Sequence, residues 1–232
     1  MQNDTLIKTI DLSRHYKVGE EEVIALDKVN LEIERNMICA ILGTSGSGKS
    51  TLLNMLAGIE RPSAGQVYIG KYRIDNLSEE QLAKFRQLYT GFIFQSYNLL
   101  PTMTALENVA LPLMFKGVDK EEREQKAMEM LKLVGIENRY KHKPKEMSGG
   151  QQQRVGIARA FVTDPSVIFA DEPTGNLDSK TTIEVMNLIT ELVHTKKQTL
   201  VMVTHDSNVA KYSDITVKIS DGRIVSKEYT NK

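Results

Sequence analysis

An α/β fold in three parts is what this sequence predicts: a parallel sheet with helices on both faces, an N-terminal antiparallel β-subdomain, and an inserted helical lobe. Three observations predict it. The runs "MICAILG", "SVIFADE" and "TLVMVTHD" are apolar without alternation, as strands covered on both sides are. Val29, Leu31 and Ile33 alternate with Lys28, Asn30 and Glu32, the pattern of a strand with one wet face. Between Tyr97 and Asp164 the period turns helical, most clearly in "KEEREQKAMEMLKLVG".

Each element follows in order. "VNLEIE" and, after a Pro-Ser-Ala-Gly turn, "GQVYIG" supply antiparallel strands, and "MICAILG" leads into the helix "STLLNMLAGI". Ser148 heads a helix on which Val155, Ala158 and Phe161 share a face. A further helix follows Asp178 with Val185, Ile189 and Leu192 on one side, and a hairpin turns at Asp221-Gly222.

Composition sets wide bounds. A chain of 232 residues, 41% hydrophobic, can bury a substantial core. Thirty basic residues balance thirty acidic ones, which argues for neither a nucleic-acid groove nor a polybasic membrane anchor. No apolar run approaches the ~18 residues of a membrane span, and "MQNDTLIKTI" lacks the character of a signal peptide, so an intracellular chain is expected. Its one cysteine, Cys39, excludes an internal disulfide and reads as an inert buried thiol.

The chemistry begins at "GTSGSGKST". Gly43, Thr44, Ser45, Gly46, Ser47, Gly48, Lys49, Ser50 and Thr51 match GxxxxGK(S/T) between a buried strand and a helix, the context this phosphate-binding pattern requires. Glycines let the backbone wrap phosphates, the helix start adds positive potential, Lys49 reaches the β and γ phosphates, and Ser50 offers a hydroxyl to Mg²⁺. ATP or GTP is the implied ligand. In "VIFADEPTGNLD" a hydrophobic strand delivers Asp171 toward the metal, and Glu172 can accept a proton from an attacking water. His205, ending "VMVTHD", is placed to touch the γ-phosphate and that water. Gln95, ending "GFIF", is placed to meet both metal and water and to report their presence to the helical lobe. Ser148, Gly149 and Gly150 form a second anion-accepting helix start. Two such starts make sense if they never serve one nucleotide within one chain: in a head-to-tail pair, each lobe reaches its partner's γ-phosphate.

At this point a resemblance is carried by particular residues. "GTSGSGKST", "QSYNLLP" from Gln95, "MSGGQQQR", "VIFADEPTGNLD" and "VTHD", in that order, resemble the ATP-binding subunit of an ABC transporter over nearly the whole chain. "HYKVGEEEVIAL", "MTALENVALPL", "SGGQQQRV" and "EPTGNLDSKT" are similar to the MacB/LolD/FtsE branch. The resemblance implies a P-loop NTPase (RecA-like) core formed by residues 1–95 and 165–232, the antiparallel β-subdomain included, and a helical subdomain over 96–164. It implies ATP and Mg²⁺ as ligands, Asp178 at a dimer interface, Ser148 to Gln151 on the partner's nucleotide, and Tyr16 stacking on adenine. The implied partners are a second copy of the chain and an integral membrane permease with few spans and a large extracytoplasmic domain. That places the subunit in the cytoplasm, peripheral on the inner membrane face, with the permease's cytoplasmic helix received near Tyr97, Leu99 and Leu100. An FtsE-like role, signalling through a membrane protein without transport, stays open beside export or force transmission. Met147 for leucine, Thr44 for proline and Asn36 for glycine depart from the family pattern, and none is expected to disturb a phosphate contact.

Overall fold

A computed structural model describes residues 4–19 and 21–230, and the chain forms two compact units. The first comprises residues 1–86 and 199–232, the second residues 87–198.

In the first unit, β1 (Thr5–Val18) pairs antiparallel with β2 (Glu21–Glu34) on one side and β4 (Ala64–Ile69) on the other, with β5 (Tyr72–Arg73) beyond β4. The alternation in β2 is realised: Val29, Leu31 and Ile33 are buried, while Lys28, Asn30 and Glu32 are exposed. Asn36 then takes φ 60°, the left-handed turn that asparagine tolerates, and leads into β3 (Ile38–Leu42). β3 runs parallel to β8 (Thr199–Thr204) and β9 (Ile215–Ser220), and β10 (Arg223–Tyr229) returns antiparallel to β9. Asp221 and Gly222, at φ 47° and 72°, make the tight hairpin turn. Every residue of β8 is buried, as an unalternating apolar run requires. Helix α1 (Lys49–Leu56) buries Leu52, Leu53, Met55 and Leu56, and α7 (Ser207–Ala210) follows β8. Helix α2 (Glu79–Tyr89) carries the chain toward the second unit.

There, β6 (Thr90–Phe94) and β7 (Val167–Asp171) pair in parallel, with the Phe92 and Phe169 rings 5.8 Å apart. Helices α3 (Ala105–Phe115), α4 (Lys120–Leu133) and α5 (Gly149–Phe161) pack on one another, and α5 also packs on β6. Helix α6 (Ser179–Lys196) buries Val185, Ile189 and Leu192. Asn108 is fully buried on α3 and accepts the Leu100 N–H at 2.8 Å while donating to the carbonyls of Leu100, Met103 and Thr104. One side chain thereby pins the loop that follows β6. Among the described residues, no helix is long and apolar enough to cross a membrane.

Candidate functional site

The Gly43–Thr51 loop joins β3 to α1 and is held from the hairpin side, where Gly222 N–H donates to Ser47 O at 3.1 Å. Gly48 stands at φ 99°, and a Cβ there would lie 2.5 Å from Ala25 O, so this position admits glycine only. Gly46 stands at φ 79° with open space around it. Lys49 is buried, and its ammonium folds back across the loop to Thr44 O at 2.6 Å. Ser47 Oγ is buried without a hydrogen-bond partner, and α1 begins at Gly48 with no side-chain cap. A buried orphan hydroxyl and an uncapped helix start beside a lysine fit a phosphate chain, which would satisfy all three groups.

Tyr16, on β1, is fixed at both faces of its chemistry. Its hydroxyl donates to Glu60 Oε1 at 2.7 Å, and the Arg14 guanidinium, itself 2.7 Å from Glu60 Oε1, lies 4.7 Å from its ring centroid. His205 is exposed at the carboxyl end of β8, just before the Asp206 carboxylate that caps α7.

The other candidates belong to the second unit. Asp171 ends β7, and Glu172 follows with φ 42°, a conformation that costs a residue with a Cβ on the order of 1–3 kcal/mol. Gln95 follows β6, the strand paired with β7, so Gln95 and Glu172 emerge side by side. A Cβ on Gly175 would lie 2.7 Å from Gln95 Nε2 and 3.2 Å from Glu172 Oε2. Asn176 closes the group: its Nδ2 donates to Gln95 O at 2.9 Å, and its Oδ1 accepts from Gln95 Nε2 at 3.4 Å. Gly175 and Asn176 were not singled out in the sequence. Their signal lay in "PTGNLD", a turn-rich stretch directly after the carboxylates.

Ser148 caps α5 as expected, its Oγ accepting from Gln151 N at 3.3 Å while Gln151 Oε1 accepts from Ser148 N at 3.0 Å. This capping box occupies the Gln151 side chain. Gly149 lies beneath the Tyr97 hydroxyl, and a Cβ on Gly150 would come within 2.7 Å of the Thr181 methyl, so a larger residue at either position would displace a neighbouring side chain. Asp178 caps α6, accepting from Thr181 N at 3.0 Å and Thr181 Oγ1 at 2.7 Å. The Thr181 hydroxyl, then its N–H, hold the Asp178 carboxyl below its ordinary pKa. Gln95, Glu172 and the Ser148 helix thus share the second unit, while the phosphate loop, Tyr16 and His205 share the first.

The family model for ABC transporters matches residues 26–175. An uncharacterised ABC transporter ATP-binding protein of Methanocaldococcus jannaschii is 45% identical over 227 residues, 96% of this chain and 97% of that protein. The lipoprotein-releasing system ATP-binding protein LolD of Chromohalobacter salexigens is 42% identical over 96% of this chain and 94% of its own length. The macrolide export ATP-binding/permease protein MacB of Vibrio parahaemolyticus is 46% identical over 97% of this chain, which spans only 34% of that longer protein. Among solved structures, the dimeric, post-hydrolysis form of an ATP-binding cassette bound to ADP and inorganic phosphate superposes with a TM-score of 0.91 at 43% identity, covering 98% of this chain and 100% of that one.

Proposed function

This chain belongs to the ABC transporter family as an ATP-binding, ATP-hydrolysing subunit, and we propose that it works as one half of a homodimer that closes on two Mg-ATP and drives a separate membrane permease. The observation that carries this reading is the different finish of its two anion-accepting helix starts. Helix α1 is uncapped beside the orphan Ser47 hydroxyl and Lys49, whereas α5 is already closed by Ser148 and Gln151. The first takes most of a triphosphate. The second has room to add donors only to a terminal phosphate presented by another copy.

Within that arrangement Lys49 leaves Thr44 O for the β and γ phosphates, and Tyr16 offers a ring to the base. Glu172 takes a proton as the water oxygen bonds to the γ-phosphorus and the bond to the β-phosphate oxygen breaks, leaving ADP and phosphate. His205 hydrogen-bonds the γ-phosphate and orients the water. Magnesium, when bound, neutralises charge on the phosphate oxygens. The Ser50 hydroxyl, Asp171 and the Gln95 amide oxygen are hard oxygen donors that would hold it. Loss of the γ-phosphate removes the bridge between the copies, and the pair opens, a switch driven by differential binding.

The permease reading draws support from relatives whose names join ATP-binding to permease in one protein, of which this chain matches about a third. We assign it to the MacB/LolD type, with few spans and a large extracytoplasmic domain, at the cytoplasmic membrane face. Glu172→Gln protein with ATP and Mg²⁺, followed by light scattering, tests the dimer: a doubled mass is expected, and a persistent monomer at saturating ATP overturns it. The same variant used as bait in detergent-solubilised native membranes is expected to recover such a permease.

A further inference from the structure

Helix α5 holds both loops that carry the proposed catalytic groups. Near its end, the Arg159 guanidinium donates to two successive carbonyls, Asn98 O at 2.6 Å and Tyr97 O at 2.8 Å. Tyr97 and Asn98 stand at φ 60° and 48° respectively, the one consecutive pair of left-handed non-glycine residues among the described ones. Asparagine accepts such a conformation readily and tyrosine does not, and the guanidinium fork binds the carbonyl of each, beside the backbone bonds from Tyr97 N–H to Phe94 O at 3.2 Å and from Asn98 N–H to Ser96 O at 2.6 Å. On the same helix Gln153 is fully buried and donates its Nε2 to Pro173 O, immediately after Glu172, itself strained at φ 42°. In the first turn, Gly149 admits the Tyr97 hydroxyl: a Cβ at that position would sit 2.8 Å from it.

The strained residues around Gln95 and Glu172 are therefore tied to one element, and that element begins at Ser148. We propose that Arg159 and Gln153 are positioning residues that lock the Gln95 loop and the Glu172 loop to the helix start offered to the partner's nucleotide. A chain's own Gln95 and Glu172 loops are then tied to the group it lends to the other site, and the response of one site to occupancy of the other depends on Arg159 and Gln153. This rests on the homodimer reading above.

Arg159→Met, Arg159→Lys and Gln153→Met test it, the lysine keeping the charge but losing the fork, and the methionine at 153 keeping volume but losing the amide. Each is compared with the parent for melting temperature, binding of a fluorescent ATP analogue, the kcat, KM and Hill coefficient of ATP hydrolysis, and ATP-driven dimerisation in the Glu172→Gln background. The expected result is a folded protein that binds nucleotide within about twofold, turns over at least tenfold more slowly, loses cooperativity toward a Hill coefficient of one, and dimerises at least tenfold more weakly. Folded variants that dimerise and turn over like the parent overturn the inference, as do losses that merely track melting temperature. If Arg159→Met fails to fold, the lysine and Gln153→Met variants decide alone. A Glu172→Gln protein that never dimerises overturns the homodimer reading itself, whereas one that dimerises equally well with and without Arg159 overturns only the positioning role.

Discussion

Glu172 shows at a single residue how a site can be legible in part. Its carboxylate is evident from the text, because an acidic pair after an apolar run marks a strand end. Its φ of 42° and its nearness to Gln95 across Gly175 are not, since they depend on how "PTGN" turns back on β6. Removing the base should lower kcat by about 10²–10⁴-fold while ATP remains bound, so Glu172→Gln is expected to retain nucleotide through a desalting column yet release almost no phosphate. A variant with parental turnover would remove Glu172 from the role of base. Cys39 offers a simpler case. Complete burial in β3 pushes its thiol up to about 12, so at neutral pH it stays protonated. A thiol reagent should leave the folded chain unlabelled and modify one cysteine after denaturation, and rapid labelling of the native protein would contradict that burial.

At the scale of elements, helix starts were readable and helix faces only partly so. Ser148 and Asp178 announce α5 and α6 because a cap is a local contract between a side chain and N–H groups two or three residues on. Ser148→Ala is expected to cost about 1 kcal/mol in urea unfolding, in addition to its effect on nucleotide-dependent association. Gln153 and Asn108 escaped notice although the sequence held a hint. Gln153 lies in register with Ile157, Ala160 and Phe161 on a buried face, and Asn108 lies beside Ala105, Val109 and Leu113. A polar residue on an apolar face signals a buried hydrogen bond, but not its partner. Asn108→Ala leaves the Leu100 N–H and nearby carbonyls short of partners, and a loss of about 2 kcal/mol is expected from the midpoint of chemical denaturation. An unchanged midpoint would show that water replaces the amide.

Over the whole molecule, thirty positive and thirty negative residues leave little net field, so the pH response should follow individual caps. Glu107, Glu146 and Asp178 are each held below their ordinary values, by the backbone N–H of Thr104, the backbone N–H of Lys143 and the Thr181 hydroxyl respectively. A depressed carboxyl contributes stability that is present above its unfolded pKa and lost as pH falls through the folded one. The melting temperature is therefore expected to hold from neutral pH to about 5 and to decline below about 4.5, near the ordinary glutamate value, as these caps protonate; a melting temperature that rises on acidification would contradict the assignment. The sequence by itself determined the buried strands β3, β7 and β8, the starts of α1, α5 and α6, the Gly43–Thr51 pattern and the carboxylate pair at the end of β7, because each rests on periodicity or on neighbours within a few residues, whereas β1, α2 and β6 emerged only with the structure. Only the tertiary structure decided that Gln95 meets Glu172 and Asn176, that Glu60 fixes Tyr16, and that α5 holds the loops after β6 and β7. Those contacts join residues tens of positions apart, and they form only when strand pairing and helix packing have closed the intervening chain.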